Sequence, residues 1–250
     1  MVQILTPRTL ATLDDAINYF KDANCSKATD LDESLVSLNP MLLQGFNDEF
    51  GWDMKPSEWV VYNIIDLKRS KDMNLKTEDV NRVLRKIGDT PEFLNLRPYK
   101  LALDILRKVG RRAGVEGAGH ILYDVFVITS RCEDFYHDNE KKTRITVNNT
   151  KLSISPNHII FNPDKAAACT KPGVNVGLVI EDNPEQVLHQ LEDGIYVIMP
   201  ERPWNTLNDV DSENLHVEDL EKKTDLIKTL DTYLGKRLYR VSMEEIVKYG

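Results

Sequence analysis

Residues 121–131 read Ile-Leu-Tyr-Asp-Val-Phe-Val-Ile-Thr-Ser-Arg, and Ile121 to Ile128 is an apolar, β-branched run. Such a run predicts a strand buried on both faces, as in a parallel sheet. Working outward, His158–Phe161, Val174–Ile180 and Ile195–Met199 are shorter runs of the same kind. Helical stretches separate several of them, Pro184–Leu191 among them. Strands alternating with helices predict an α/β fold on an open parallel sheet.

Toward the N-terminus, residues 26–36 (SKATDLDESLV) predict a short strand running into an acidic turn. Before it, Leu10, Leu13, Ile17 and Phe20 recur at helical spacing and predict a helix from Thr9 to Lys21. Residues 40–113 read as mostly helical. Met41, Leu42, Phe46 and Phe50 make one apolar face, and Thr77-Glu78-Asp79 opens another helix with acid in its first turn. Leu101, Leu103, Ile105, Leu106 and Val109 stripe a further one that Gly110 ends. Thr146-Val147 and Leu152–Ile154 predict a small hairpin. Beyond residue 207 the expectation is an acidic helix around 216–234, a strand at Leu238–Val241 and a last helix.

The chain has 250 residues, enough for one α/β domain with an insertion. Its net charge is -8, with 40 acidic against 32 basic residues, which argues against stable nucleic-acid binding. A small phosphorylated substrate stays open, because a pocket can be locally positive on an acidic protein. Cys25, Cys132 and Cys169 are scattered and unpaired in pattern, which suits a reducing compartment. With no apolar run of spanning length and no apolar leader, the expectation is a cytoplasmic protein without a membrane partner. The N-terminal helix and the acidic tail are candidates for a homodimer contact.

In an open α/β sheet, ligands bind beyond the carboxyl ends of the strands. The residues there are Asp30-Leu31-Asp32-Glu33-Ser34, Thr129-Ser130-Arg131, Asn162-Pro163-Asp164-Lys165, Glu181-Asp182-Asn183 and Glu201-Arg202-Pro203-Trp204-Asn205. Asp30 and Asp32 lie two apart in an acidic turn, where close carboxylates repel unless a cation or a shared proton relieves them. A hard cation with oxygen ligands does this, and Asp182 is placed to complete its site. Glu181 is a candidate for holding waters around it. Thr129 can donate to a phosphate oxygen or cap the next helix. Lys165 would bring a cation near the same point, and Lys171 competes with it for that role.

The order of these pieces resembles the four motifs of the haloacid dehalogenase superfamily. DLDESL at 30–35 is similar to the first, VFVITSR at 125–131 to the second, Lys165 to the third and VIEDNP at 179–184 to the fourth. FNDEFGW at 46–52 and GIYVIMPERPWN at 194–205 resemble segments of its nucleotidase-type members, such as the deoxyribonucleotidases. The resemblance implies a Rossmann-like core at 1–39 and 114–250, with an inserted helical cap at 40–113. It implies that Asp30 is the nucleophile and Asp32 the general acid and base. Thr129 and Lys165 would hold the phosphoryl group, and Asp30, Asp32 (through its carbonyl) and Asp182 would hold Mg2+. Phe46, Ser130 and Arg131 are the candidate substrate contacts. The implied activity is hydrolysis of (deoxy)nucleoside 5′-monophosphates. The alternatives are another small phosphate ester or a nucleic-acid 3′-phosphate end, or else a silent binding protein of the same fold. Against the family pattern, residues 24–29 are polar for a buried strand, and Glu33 stands where glycine is frequent.

Overall fold

The structure, a computed structural model, describes residues 10–115, 119–132, 134 and 136–241. Its strands in chain order are β1 (Ser26–Thr29), β2 (Val36–Ser37), β3 (Arg97–Pro98), β4 (Arg112–Val115) and β5 (Gly119–Leu122). They continue with β6 (Val125–Thr129), β7 (Ile159–Phe161), β8 (Val176–Ile180), β9 (Tyr196–Pro200) and β10 (Leu238–Val241). Six of them form one sheet in the order β10-β9-β8-β1-β6-β7. Every pairing in it is parallel. This is the α/β, Rossmann-like architecture expected from the sequence.

Strands β6, β8 and β9 are buried at every position, as a parallel sheet covered on both faces requires. Alternate residues feed two cores, since successive side chains of a strand point to opposite faces. Val125, Val127, Leu178 and Ile180 face the core that includes helices Leu13–Asp22 and Lys100–Val109. Phe126, Ile128, Val179 and Val197 face the core that includes helices Lys165–Thr170, Pro184–Glu192 and Val217–Asp231. Thr12 and Asp15 form a capping box that starts the first of these helices.

The chain runs from β1 outward to β6 and β7, then returns to the other side of β1 at β8. That reversal makes β1 the switch point, where strand ends open a crevice. Over it lie helices Asn39–Phe50, Lys68–Asp72 and Thr77–Gly88, with Phe46 stacked on Phe50 and edge-on to Trp59. Helix Lys100–Val109 instead packs beside helix Leu13–Asp22 against β1. An apolar stripe marks a buried face without saying which partner buries it.

Two local expectations are corrected. The run 121–128 is not one strand: β5 pairs antiparallel with β4, the chain turns at Tyr123-Asp124, and only β6 enters the sheet. The turn places Asp124 to take Lys27 at 3.0 Å and Arg111 at 2.8 Å, which is how polar β1 is accommodated. The hairpin expected at 146–154 is absent, because Asn139–Asn149 is a helix that buries Thr143, Thr146 and Val147. The expected last helix and Thr9 lie outside the described residues. No helix among the described residues is long and apolar enough to cross a membrane. Cys25, Cys132 and Cys169 are free thiols.

Candidate active site

Asp30 follows β1 directly, and its N–H donates to the Ile180 carbonyl at 2.9 Å, which locks the turn to β8. Glu181 and Asp182 follow β8. Their carboxylates and that of Asp30 offer oxygens all within 4.8 Å of one another, and all three residues are buried. Lys165 opens a helix that Asp164 caps, and its backbone N–H donates to Gln186 at 3.1 Å. So anchored, its ammonium reaches Asp30 Oδ2 at 2.8 Å and Glu181 Oε1 at 2.9 Å. Lys171 is exposed and takes no part.

Three buried carboxylates share one ammonium. Burial pushes the Asp30 carboxyl up. Lys165 opposes this, and the Asp182 and Asp32 charges add to it. Glu181 and Asp182 are raised as well, first by burial. Burial alone would pull the Lys165 ammonium down, but Asp30 and Glu181 outweigh it and hold it well above its ordinary value. Asp30 Oδ1 and Glu181 Oε2 are buried without a hydrogen-bond partner among the described residues. Burying such oxygens unpaired is costly, so these two are places where a ligand atom is called for.

Asp182 is fixed on both sides. Ser34 Oγ donates to its Oδ1 at 2.8 Å and the Trp204 indole to its Oδ2 at 3.1 Å. Asn205 donates to its carbonyl at 2.9 Å. Asp32 stands outside the acid cluster: the Arg131 guanidinium takes both of its oxygens, at 2.8 and 2.5 Å. Arg131 is itself buried over the rings of Phe93 and Tyr136, at 4.5 and 5.6 Å from their centroids. Thr129 is buried at the end of β6 and accepts from the Arg131 N–H at 3.2 Å. Its own proton has no partner among the described residues.

Glu33 adopts the left-handed backbone, φ 57°, a conformation that glycine takes more readily than glutamate. Its carboxylate accepts from the N–H groups of Leu38 and Asn39 at 2.6 and 2.7 Å and from Tyr99 at 2.7 Å. It thereby ties the Asp30–Ser34 turn to the start of helix Asn39–Phe50.

A cavity of about 460 Å3 opens above the cluster. Asp32, Ser130, Arg131 and Asp182 form part of its floor, and Phe46, Trp59, Tyr62, Tyr136 and Trp204 line it. Phe46 is 1% exposed and is mostly packed among Phe50, Trp52 and Trp59. Ser130 is half-buried at the rim. Tyr62 as a residue is 42% exposed; desolvation of its hydroxyl, with Asp30 and Asp182 adding and Lys165 opposing, holds it well above its ordinary pKa.

Neither a protein-family model nor a curated protein matches the chain. Among solved structures it is similar to a haloacid dehalogenase-like hydrolase from Streptococcus pneumoniae (11% identity, 90% of this chain and 98% of that one, TM-score 0.48). It is also similar to a HAD family hydrolase from Deinococcus radiodurans solved with phosphate and sodium (13%, 88% and 92%, 0.47). A hydrolase from Pseudomonas syringae is a third (16%, 84% and 99%, 0.44). Each is a likeness in the course of the chain; what the side chains do rests on this chain's own geometry.

The structure thus brings together Asp30, Asp182 and Lys165, leaves Thr129 at the end of the neighbouring strand β6, and sets the Asp32 carboxylate apart with Arg131. Sequence reasoning gave Glu181 an outer role, but its carboxylate is inside the cluster. It did not single out Tyr62 from the other aromatics of the inserted segment, and it left Trp204 without a task. The position of Trp204 just past a strand end was the available signal. Tyr62 had none, because it arrives from a segment distant in sequence.

Proposed function

We propose that the chain is a magnesium-dependent phosphomonoesterase of the haloacid dehalogenase superfamily. The convergence of Asp30, Glu181, Asp182 and Lys165 at the ends of neighbouring strands carries this reading, with Asp30 Oδ1 buried and unpartnered. The residues fit a divalent ion: three carboxylates against one ammonium, two oxygens without donors, and hard oxygen ligands of the kind Mg2+ takes alongside waters and phosphate. Asp30 and Asp182 would hold it, with Glu181 beside them and Asp32 contributing its carbonyl. When bound, the ion supplies positive charge against the phosphoryl oxygens.

One Asp30 carboxylate oxygen attacks phosphorus, the ester P–O bond breaks, and an aspartyl-phosphate forms. Asp32 gives its proton to the departing oxygen. It then takes one from the water that attacks phosphorus, which frees Asp30 and inorganic phosphate. For this, the Asp32 side chain must turn from Arg131 toward the substrate. Lys165 balances charge on Asp30 and on the transferring group, and Thr129 Oγ donates to a phosphoryl oxygen. The aromatic lining of the cavity favours a planar leaving group, so a nucleoside 5′-monophosphate is the proposed substrate.

A phosphate-release screen tests this, run over nucleotides, sugar phosphates and 3′-phosphorylated oligonucleotides with Mg2+ or with chelator. Nucleoside 5′-monophosphates are expected to lead, and chelator to abolish release. Preference for sugar phosphates or 3′ ends would change the substrate, and no release from any ester would remove the enzyme.

A further inference from the structure

The segment Pro200–Asn205 is a bracket around Asp182. Asn205 Nδ2 donates to the carbonyls of Asp182 and Pro200, both at 2.9 Å, and its Oδ1 accepts from the Arg202 N–H at 2.8 Å. This pins the short turn Pro203–Asn205 across the end of β8. From the turn, Trp204 sends its indole N–H to Asp182 Oδ2 at 3.1 Å. Trp204 is only 5% exposed, and its ring meets Tyr62 edge-on at 6.5 Å, the two lining the same cavity. Tyr62 in turn belongs to the segment over the crevice and lines the cavity together with Asp182. Trp204 therefore touches both a carboxylate of the candidate ion site and the covering segment.

We infer that Trp204 is a positioning residue that aims the Asp182 carboxylate at the divalent ion and couples ion binding to the seating of Tyr62. The inference rests on the ion site proposed above. With Ser34 Oγ on Oδ1 at 2.8 Å, the indole N–H on Oδ2 holds the plane of the carboxylate and prevents its rotation. Such outer partners set ligand orientation, and their loss costs about 10–100-fold in metal affinity. The Tyr62 contact gives the indole a second reason to hold one position, so ordering Asp182 and seating the covering segment favour each other.

Calorimetric titration of Mg2+ into substrate-free protein tests the inference without reference to turnover. Trp204→Phe keeps the ring and loses the N–H, and is expected to weaken binding by about tenfold or more. Trp204→His keeps a ring N–H and should recover part of that loss. The NMR signals of the three indole N–H groups supply a second reading in unaltered Trp204 protein. One of them should move as Mg2+ binds and should persist in Trp52→Phe and Trp59→Phe. Equal Mg2+ affinity in Trp204→Phe and the parent, or a Trp204 signal that stays still at saturation, would overturn the coupling while leaving the ion site standing. A parent protein that binds no divalent ion would overturn both.

Discussion

Arg131 holds Asp32 by both carboxylate oxygens, at 2.8 and 2.5 Å, while Asp30, two residues earlier, faces Lys165 instead. One acidic turn therefore presents two carboxylates with different partners and different work. Asp32→Asn should lower kcat/KM, which reports only the formation of the aspartyl-phosphate, by about 10²-fold or more on an alkyl phosphate, the usual size of a general-acid contribution. p-Nitrophenyl phosphate needs no proton on its leaving oxygen and should lose far less. Steady-state kinetics on the two esters decides it: equal losses on both would take the proton-donor role from Asp32.

The crowded carboxylates make ion-free stability depend on pH. Asp30 in the fold is pushed up to about 7 by burial, opposed by Lys165 and reinforced by Asp182. A group that binds its proton more tightly when folded stabilises fully below its unfolded pKa, and the contribution is lost as pH rises through the folded value. In chelator, Asp30→Asn should thus melt higher than the parent at pH 8, with the gap closing toward pH 4. Mg2+ should raise the parent's melting temperature and leave the variant's nearly unmoved. A variant that melts lower than the parent at pH 8 in chelator would contradict the charge crowding.

Lys27 and Asp124 form a buried pair that the two residues do not share equally. Lys27 is fully buried, with only Asp124 and the Ala23 carbonyl at 3.3 Å as partners among the described residues, whereas Asp124 also receives the Arg111 backbone and side chain at 2.7 and 2.8 Å. Asp124→Ala strands an ammonium in the core and should cost about 3–5 kcal/mol. Lys27→Met leaves Asp124 paired and should cost well under half of that. Urea unfolding of both variants gives the comparison, and the idea fails if the costs are alike.

At Glu33 two effects oppose each other. Glycine would relieve the left-handed backbone at 57°, worth about 1 kcal/mol. It would also remove three hydrogen bonds to a carboxylate, each worth roughly 1.5 kcal/mol or more. The lost bonds win, so Glu33→Gly should destabilise by about 2 kcal/mol or more, measured by denaturant unfolding. A more stable variant would show that strain dominates.

The sequence by itself determined the α/β sheet, since runs such as Val176–Ile180 and Tyr196–Pro200 are apolar at both faces and only a doubly covered parallel strand suits them. It also placed Asp30, Thr129, Lys165 and Asp182 at strand ends, because a strand's period and its terminating polar residues are local properties. Tertiary structure alone decided the rest. The choice of Lys165 over Lys171, the entry of Glu181 into the cluster and the hold of Trp204 on Asp182 depend on pairing between residues far apart in sequence. The break of 121–128 into two strands depends on Asp124 finding Lys27, 97 residues away. Local pattern fixes what a segment can be; which charge it meets is set only when the sheet closes and water leaves.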